Sequence, residues 1–256
     1  MAIGGDYNYE KRGTGYVRQR RPDPRIGALI LAALGDARTI LNVGAGSGSY
    51  EPADRYVLAI EPSRAMRAQR APTAAPAIEA FAEALPLDNA SVDASMAIST
   101  VHQWSDHRAG LRELRRVTRG AVVVMSADGP SLSGWWLNDY APQVILAEQK
   151  RCFSISEIAE PLGGRVEIVP VPIPIDCTDG FTEAFYARPE MLLDPAVRGA
   201  QSSWGFVASA VETQFVTALS EDLASGRWDQ QYGHLRKQPM FEGSLRLVVS
   251  RPESRV

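Results

Sequence analysis

Apolar positions recur with two different periods along this chain, and the change of period divides it. In PDPRIGALILAAL, residues Ile26, Leu29, Ile30, Ala33 and Leu34 repeat at i, i+3, i+4, i+7 and i+8, one face of a helix. Pro22 and Pro24 suit its first turn, and Gly35 its end. From Thr39 the pattern becomes short apolar runs: TILNV, YVLAI (56–60), a weak run around Ala77 to Phe81, SVDASMAI (91–98) and GAVVVMS (120–126). Between the last two, GLRELRRV sets Leu111, Leu114 and Val117 on one helical face, opposite Arg112, Arg115, Arg116 and Arg119, a basic band read as solvated. Short apolar strands alternating with helices predict an α/β fold, a parallel sheet covered on both faces.

The second half follows another rhythm. Residues 129–162 read as helical without a strand. RVEIVPVPIP (165–174) reads as a strand that its three prolines confine to an edge or to its ends. A mostly helical region runs from about Gly180 to Trp228, and SLRLVVS (244–250) has the alternation of a final strand. Residues 1–21, polar and rich in Tyr, Gly and Arg, read as a mobile lead-in. The expectation is one domain over 1–256, with helical insertions at about 129–162 and 176–240 forming a lid.

The most informative stretch is ILNVGAGSGSY (40–50), where a buried strand runs straight into Gly44, Gly46 and Gly48. Glycines allow a sharp turn and let backbone N–H groups approach a ligand closely. YVLAIEPS then places Glu61 at the tip of the second strand, beside that turn. Ligands of open α/β sheets bind at these tips, and an acid there suits the two hydroxyls of a ribose. A dinucleotide fingerprint wants a third glycine where Ser49 stands, and a phosphate loop wants a lysine that is not there. A nucleoside without phosphate fits better, and S-adenosylmethionine (SAM) is the obvious one.

The motifs LNVGAGSG (41–48), AIEPSRAM (59–66), AEALPLDNASVDASMA (82–97) and GLRELRRV (110–117) occur in one order and spacing. With them the segment from Tyr16 to Ser126 resembles the class I SAM-dependent methyltransferases, in particular the subgroup related to ubiquinone and menaquinone biosynthesis C-methyltransferases (methyltransferase type 11). The resemblance implies a Rossmann-like, seven-stranded, mostly parallel sheet with helices on both faces and a helical lid. It implies that Gly44, Gly46 and Gly48 pass around the amino-acid end of SAM, with Glu61 holding the ribose and Pro62 and Ser63 beside it. Met66 would pack near the adenine, Ala82 and Glu83 beside its ring, and Ser99 would line the pocket. Tyr16 and Arg20 resemble a segment that closes over the cofactor, Arg20 near the methionine carboxylate. Asn42 departs from the pattern, which carries an acid there.

Methyl transfer needs no metal, and most of its catalysis can come from positioning. His102, in STVHQW past the fourth strand, is the candidate general base, with pocket wall as its other reading. Trp104 could form a wall of the substrate site. Trp135, Trp136 and Tyr140 in the first insertion could stack on a substrate, though a lid core is the favoured reading. Asp176 could approach the substrate or serve a turn. His107 and His234 read as surface residues.

Composition narrows the partners. A net charge of −3 over 256 residues argues against a general polyanion binder, and no interleaved aromatics mark a nucleic-acid face. No apolar run is long enough for a bilayer, and the first residues lack a secretory h-region, so a cytoplasmic location is expected. Cys152 and Cys177 suggest neither a disulfide framework nor a zinc site. The expected activity is methyl transfer from SAM to a small-molecule acceptor, a secondary metabolite or quinone-like compound, releasing S-adenosylhomocysteine. Its rivals are a SAM-binding protein without methyl transfer, or one using SAM for another reaction, a NAD-dependent oxidoreductase, and a structural or interaction protein built on the same sheet.

Overall fold

The computed structural model describes residues 16–253, apart from the side chain of Tyr16. A helical turn, α1 (Tyr16–Gln19), and helix α2 (Pro24–Leu34) lead into the sheet. There follow β1 (Thr39–Val43), β2 (Tyr56–Ile60), α3 (Arg64–Arg67), β3 (Ala77–Ile78), β4 (Ala94–Ile98), α4 (His107–Val117) and β5 (Val122–Ala127). Next come α5 (Leu137–Tyr140), α6 (Pro142–Gln149), α7 (Ile155–Leu162), β6 (Arg165–Pro170) and β7 (Ile173–Pro174). The chain closes with α8 (Pro195–Gly199), α9 (Ser209–Ser225), α10 (Arg227–Tyr232), β8 (Met240–Phe241) and β9 (Leu245–Arg251).

Seven strands form one sheet in the order β3-β2-β1-β4-β5-β9-β6. β1 runs parallel to β2 and β4, with Asn42 beside both Ala59 and Met96. Only β9 is reversed, antiparallel to β5 and to β6. The strand order turns back at β1, so the C-terminal tips of β1, β2 and β4 surround one crevice. β6 is the edge strand and Pro170 its last residue, where a missing N–H costs the ladder least.

Strand residues alternate between two cores. Ile40, Met96, Val123 and Met125 face one side, where Ile26, Ile30 and Leu34 of α2 meet them. Leu41, Ala97, Val122 and Val124 face the other, under Leu111, Leu114 and Val117 of α4. Each fully covered Leu contributes about 1.5–3 kcal/mol. Local signals set the helix starts. The Asp23 carboxylate accepts from Arg25 N–H at 2.9 Å with Pro24 opening α2, and Asp106 accepts from Ala109 N–H at 3.0 Å at the start of α4.

Three expectations need correction. The segment 129–162 is not one insertion: Ile155, Ile158 and Leu162 of α7 join the α4 side of the sheet, leaving 129–149 with the helices after β7. A capping box of Ser154 and Glu157 starts α7 there independently. The arginine band is also more than a solvated face. Arg115 donates to the carbonyls of Thr118 and Gly120, and Arg116 to those of Leu85 and Leu87, tying α4 to the loops around it. His107 stacks on Phe153 at 3.7 Å rather than standing free, and burial lowers its pKa. His234 is exposed.

Of the lead-in expected to be mobile, residues 1–15 lie outside the described residues. The part that follows is anchored: Gly180 N–H donates to the Gln19 carbonyl at 2.9 Å, and Arg20 pairs with Asp179. Among the described residues no helix is long and apolar enough to cross a membrane.

Candidate functional site

At the tip of β1 the chain turns through Gly44, Gly46 and Gly48, all at positive φ (67°, 52° and 95°). A side chain is strained in that region, which accounts for glycine at each position. At Gly44 a second reason is internal, because a Cβ there would lie 2.0 Å from Thr100 Oγ1. At Gly46 a Cβ would meet only the Met66 methyl, at 3.4 Å. The turn is pinned to the next strand by Ala45 N–H on the Ile60 carbonyl at 2.9 Å. Residues 44–55 then reach β2 through turns alone, with no crossover helix. That removes the helix N-terminus on which a dinucleotide pyrophosphate would sit.

Glu61 stands at the tip of β2, buried, and closes over the turn. Its Oε2 accepts from Gly46 N–H and its Oε1 from Ser63 N–H, both at 2.8 Å. Burial raises its pKa; those two N–H groups and the charges of Arg67 and Arg70 oppose the rise. An ionised carboxylate has about four acceptor positions. Two are used here, so two remain for a pair of ribose hydroxyls. Ser63 caps α3 through Met66 N–H at 3.2 Å, which places Met66 under Gly46. Pro62 gives its carbonyl to Arg67 at 2.8 Å.

The tips of β3 and β4 complete the rim. Ala82 is buried, and both it and Trp104 fill the space that a side chain on Gly110 would need. Trp104 therefore packs on α4. Glu83 accepts from Ser105 Oγ at 2.8 Å and Asp106 N–H at 3.0 Å, so it fixes the loop before α4. Ser99 takes a positive φ of 52° at the end of β4, and His102 follows in a short 3-10 turn (Val101–Gln103), half-buried. The neighbouring Gln103 has both ends of its side-chain amide buried without a hydrogen-bond partner among the described residues.

The glycine turn, Glu61, Pro62, Ser63 and Met66 thus come together in direct contacts, and Ser99 and His102 stand at the adjoining strand tip. Other candidates are placed differently. Arg20 spends its Nε on Asp179 at 2.5 Å. Tyr16 lies in α1. Asp176 is exposed and pairs with Arg25 at 2.7 Å. Trp135, Trp136 and Tyr140 belong to an aromatic core: Trp136 is edge-on to Trp135, Tyr140 and Trp228 and donates to the Tyr186 carbonyl at 2.8 Å.

Several site residues carry no sequence signal. Tyr50 Oη donates to the buried Asp179 at 2.9 Å and accepts from Asp23 N–H at 3.3 Å, joining the glycine turn to the segment before α2 and to the loop after β7. Glu51 and Arg70 pair beneath the turn at 2.8 Å, and Asn42 donates to Glu51 at 3.0 Å. A carboxylate thus stands beside Asn42 after all, supplied from the turn. Only the short span between β1 and β2, interrupted by Pro52, could have announced the missing helix.

Known proteins share the fold. Residues 41–125 match a family described as a methyltransferase domain. A protein assigned as a methyltransferase of an antibiotic biosynthesis pathway in Anabaena variabilis superposes with a TM-score of 0.83 at 29% identity, covering 91% of this chain and 98% of its own. A SAM-dependent methyltransferase from Thermotoga maritima shares the fold (TM-score 0.53, 20% identity, 64% of this chain and 84% of its own). So does a Bacillus halodurans protein assigned as a methyltransferase (TM-score 0.54, 11% identity, 90% and 98%). No curated protein matches the chain.

Proposed function

We propose that this chain is a class I SAM-dependent methyltransferase that methylates a small-molecule acceptor of the secondary-metabolite or quinone-like kind, a reading that the matched domain and the fold support. The observation that carries the reading is Glu61, a buried carboxylate closed over a glycine turn with two acceptor positions to spare. The positive-φ glycines let the backbone of the turn come close to a ligand, and the Met66 methyl under Gly46 gives that end an apolar floor. When bound, SAM supplies a methyl group activated by a sulfonium, and S-adenosylhomocysteine is left behind. His102, at the adjoining strand tip, takes the proton of the acceptor's O–H, N–H or acidic C–H. Trp104 walls the same end.

A small molecule is favoured over a macromolecule by the helices after β5 and β7. They form one continuous aromatic core with the sheet, including Trp136, Phe215 and Trp228, and their loop is bonded to the glycine turn through Asp179. The likeness to the protein from the antibiotic pathway extends over these helices as well as the sheet, which supports a product of the same broad kind.

Calorimetric titration with S-adenosylhomocysteine tests the cofactor half. Wild type binds, and Glu61→Ala loses about 2 kcal/mol or more of affinity. Absence of wild-type binding at millimolar ligand would sink the reading. Turnover of methyl-labelled SAM against a panel of phenols, quinols and amines then finds the acceptor. With it in hand, His102→Ala should lower kcat by about 10²–10⁴ while cofactor affinity holds. An unchanged kcat assigns His102 to the wall instead.

A further inference from the structure

Gly46 is gripped at both of its peptide groups by side chains of opposite charge. Its N–H goes to Glu61, and its carbonyl receives Arg70 Nη1 at 3.4 Å. The same guanidinium donates to both oxygens of Glu51 at 2.9 and 2.8 Å, and its Nε and Nη2 donate to the Ala75 carbonyl. Glu51 in turn accepts from Asn42 of β1. One ion pair therefore joins β1, the glycine turn and the segment after α3.

This pair is nearly sealed from water, with side-chain exposures of 5% for Arg70 and 9% for Glu51. Desolvating two charges is costly, and well-packed apolar residues of the same volume commonly give as much stability or more. Stability alone is a poor account of it. The location supplies a better one. A parallel crossover is ordinarily a helix, which would brace the turn that begins it. Residues 44–55 have none, and the pair lies where that bracing is missing: a Cβ on Gly48 would come within 3.2 Å of Glu51 Oε2 and 3.4 Å of Arg70 Nη1.

We propose that Glu51 and Arg70 are positioning residues for the cofactor, an ion-pair clamp that stands in for the crossover helix and holds the glycine turn in its binding shape. Asn42 belongs to the same device, because its amide donates to Glu51 where a carboxylate would repel it. The inference rests on the reading of the turn as a SAM site.

The test separates positioning from stability. Arg70→Met and Glu51→Met each strand a buried charge and should destabilise the fold in chemical denaturation. The double variant E51M/R70M removes both charges and should recover much of that loss. Its affinity for S-adenosylhomocysteine should nevertheless stay at least about tenfold below wild type, and amide exchange at Gly46 and Gly48 in the ligand-free protein should be at least about tenfold faster. A double variant that binds like wild type, with turn amides exchanging at the wild-type rate, overturns the clamp and leaves the pair merely structural. If wild type itself binds no S-adenosylhomocysteine, the site reading falls and the cofactor role with it, an outcome visible without any variant.

Discussion

Two regions meet at the crevice and are built on different physics. Around Gly44 to Met66, position is set by backbone groups and buried charge: positive-φ glycines, N–H groups on Glu61, and the Glu51–Arg70 pair. In the segments after β5 and after β7, position is set by aromatic area: Trp136 against Trp135, Tyr140 and Trp228, and Trp204 against Phe215. The first kind of construction fixes atoms to within a hydrogen bond's tolerance, as a ribose and a backbone approach demand. The second makes a stable cover, and many apolar sequences of similar volume could do the same.

That contrast can be broken in three places. The largest effect should come from Trp136→Ala, which removes the centre of the aromatic core and should cost about 3–5 kcal/mol of stability in denaturant titration. Affinity of the folded variant for S-adenosylhomocysteine should change little. A parallel collapse of binding would show that the two regions act as one. Glu61→Ala should act chiefly on binding, losing roughly 30-fold in ligand affinity, the equivalent of about 2 kcal/mol, with a stability loss of about 1–2 kcal/mol from the two N–H groups left without their acceptor, well below that of Trp136→Ala. The smallest effect belongs to the seam between the regions. The Asp23 carboxylate accepts from Arg25 and from Thr178 N–H, and these bonds, chiefly the Arg25 side chain, hold its pKa down to about 2. Its contribution is therefore fully present above its ordinary 3.8 and disappears as pH falls towards 2. Asp23→Asn should cost about 1–2 kcal/mol at neutral pH. Melting curves should show that gap closing between roughly pH 4 and pH 2. A gap that persists at pH 2 would assign the loss to packing.

Much of the first region was legible from the chain. Strand β1 running into three glycines, and β2 ending on Glu61, are local patterns, and local patterns survive into the fold because a parallel sheet brings neighbouring strand tips together by construction. Even there, the reading failed where the partner was remote. Arg70 lies 19 residues from Glu51, and nothing in the spacing announces that they pair. Asn42 looked like a lost charge because its neighbour Glu51 could not be seen.

In the second region the sequence specified helices and apolar content but not their destinations. The same periodicity in 129–162 sends α5 and α6 to the aromatic core and α7 to the opposite face of the sheet. Asp176 and Asp179, three residues apart, end as a surface ion pair and a buried junction with Arg20 and Tyr50. The sequence by itself determined the alternating α/β order, the glycine turn and the acid beside it, since each depends on residues close along the chain. The tertiary structure alone decided which tryptophans became core, which charges were buried together and what braces the turn. Those outcomes depend on contacts between distant segments, and their free energy comes from burial and pairing that exist only once the chain has folded.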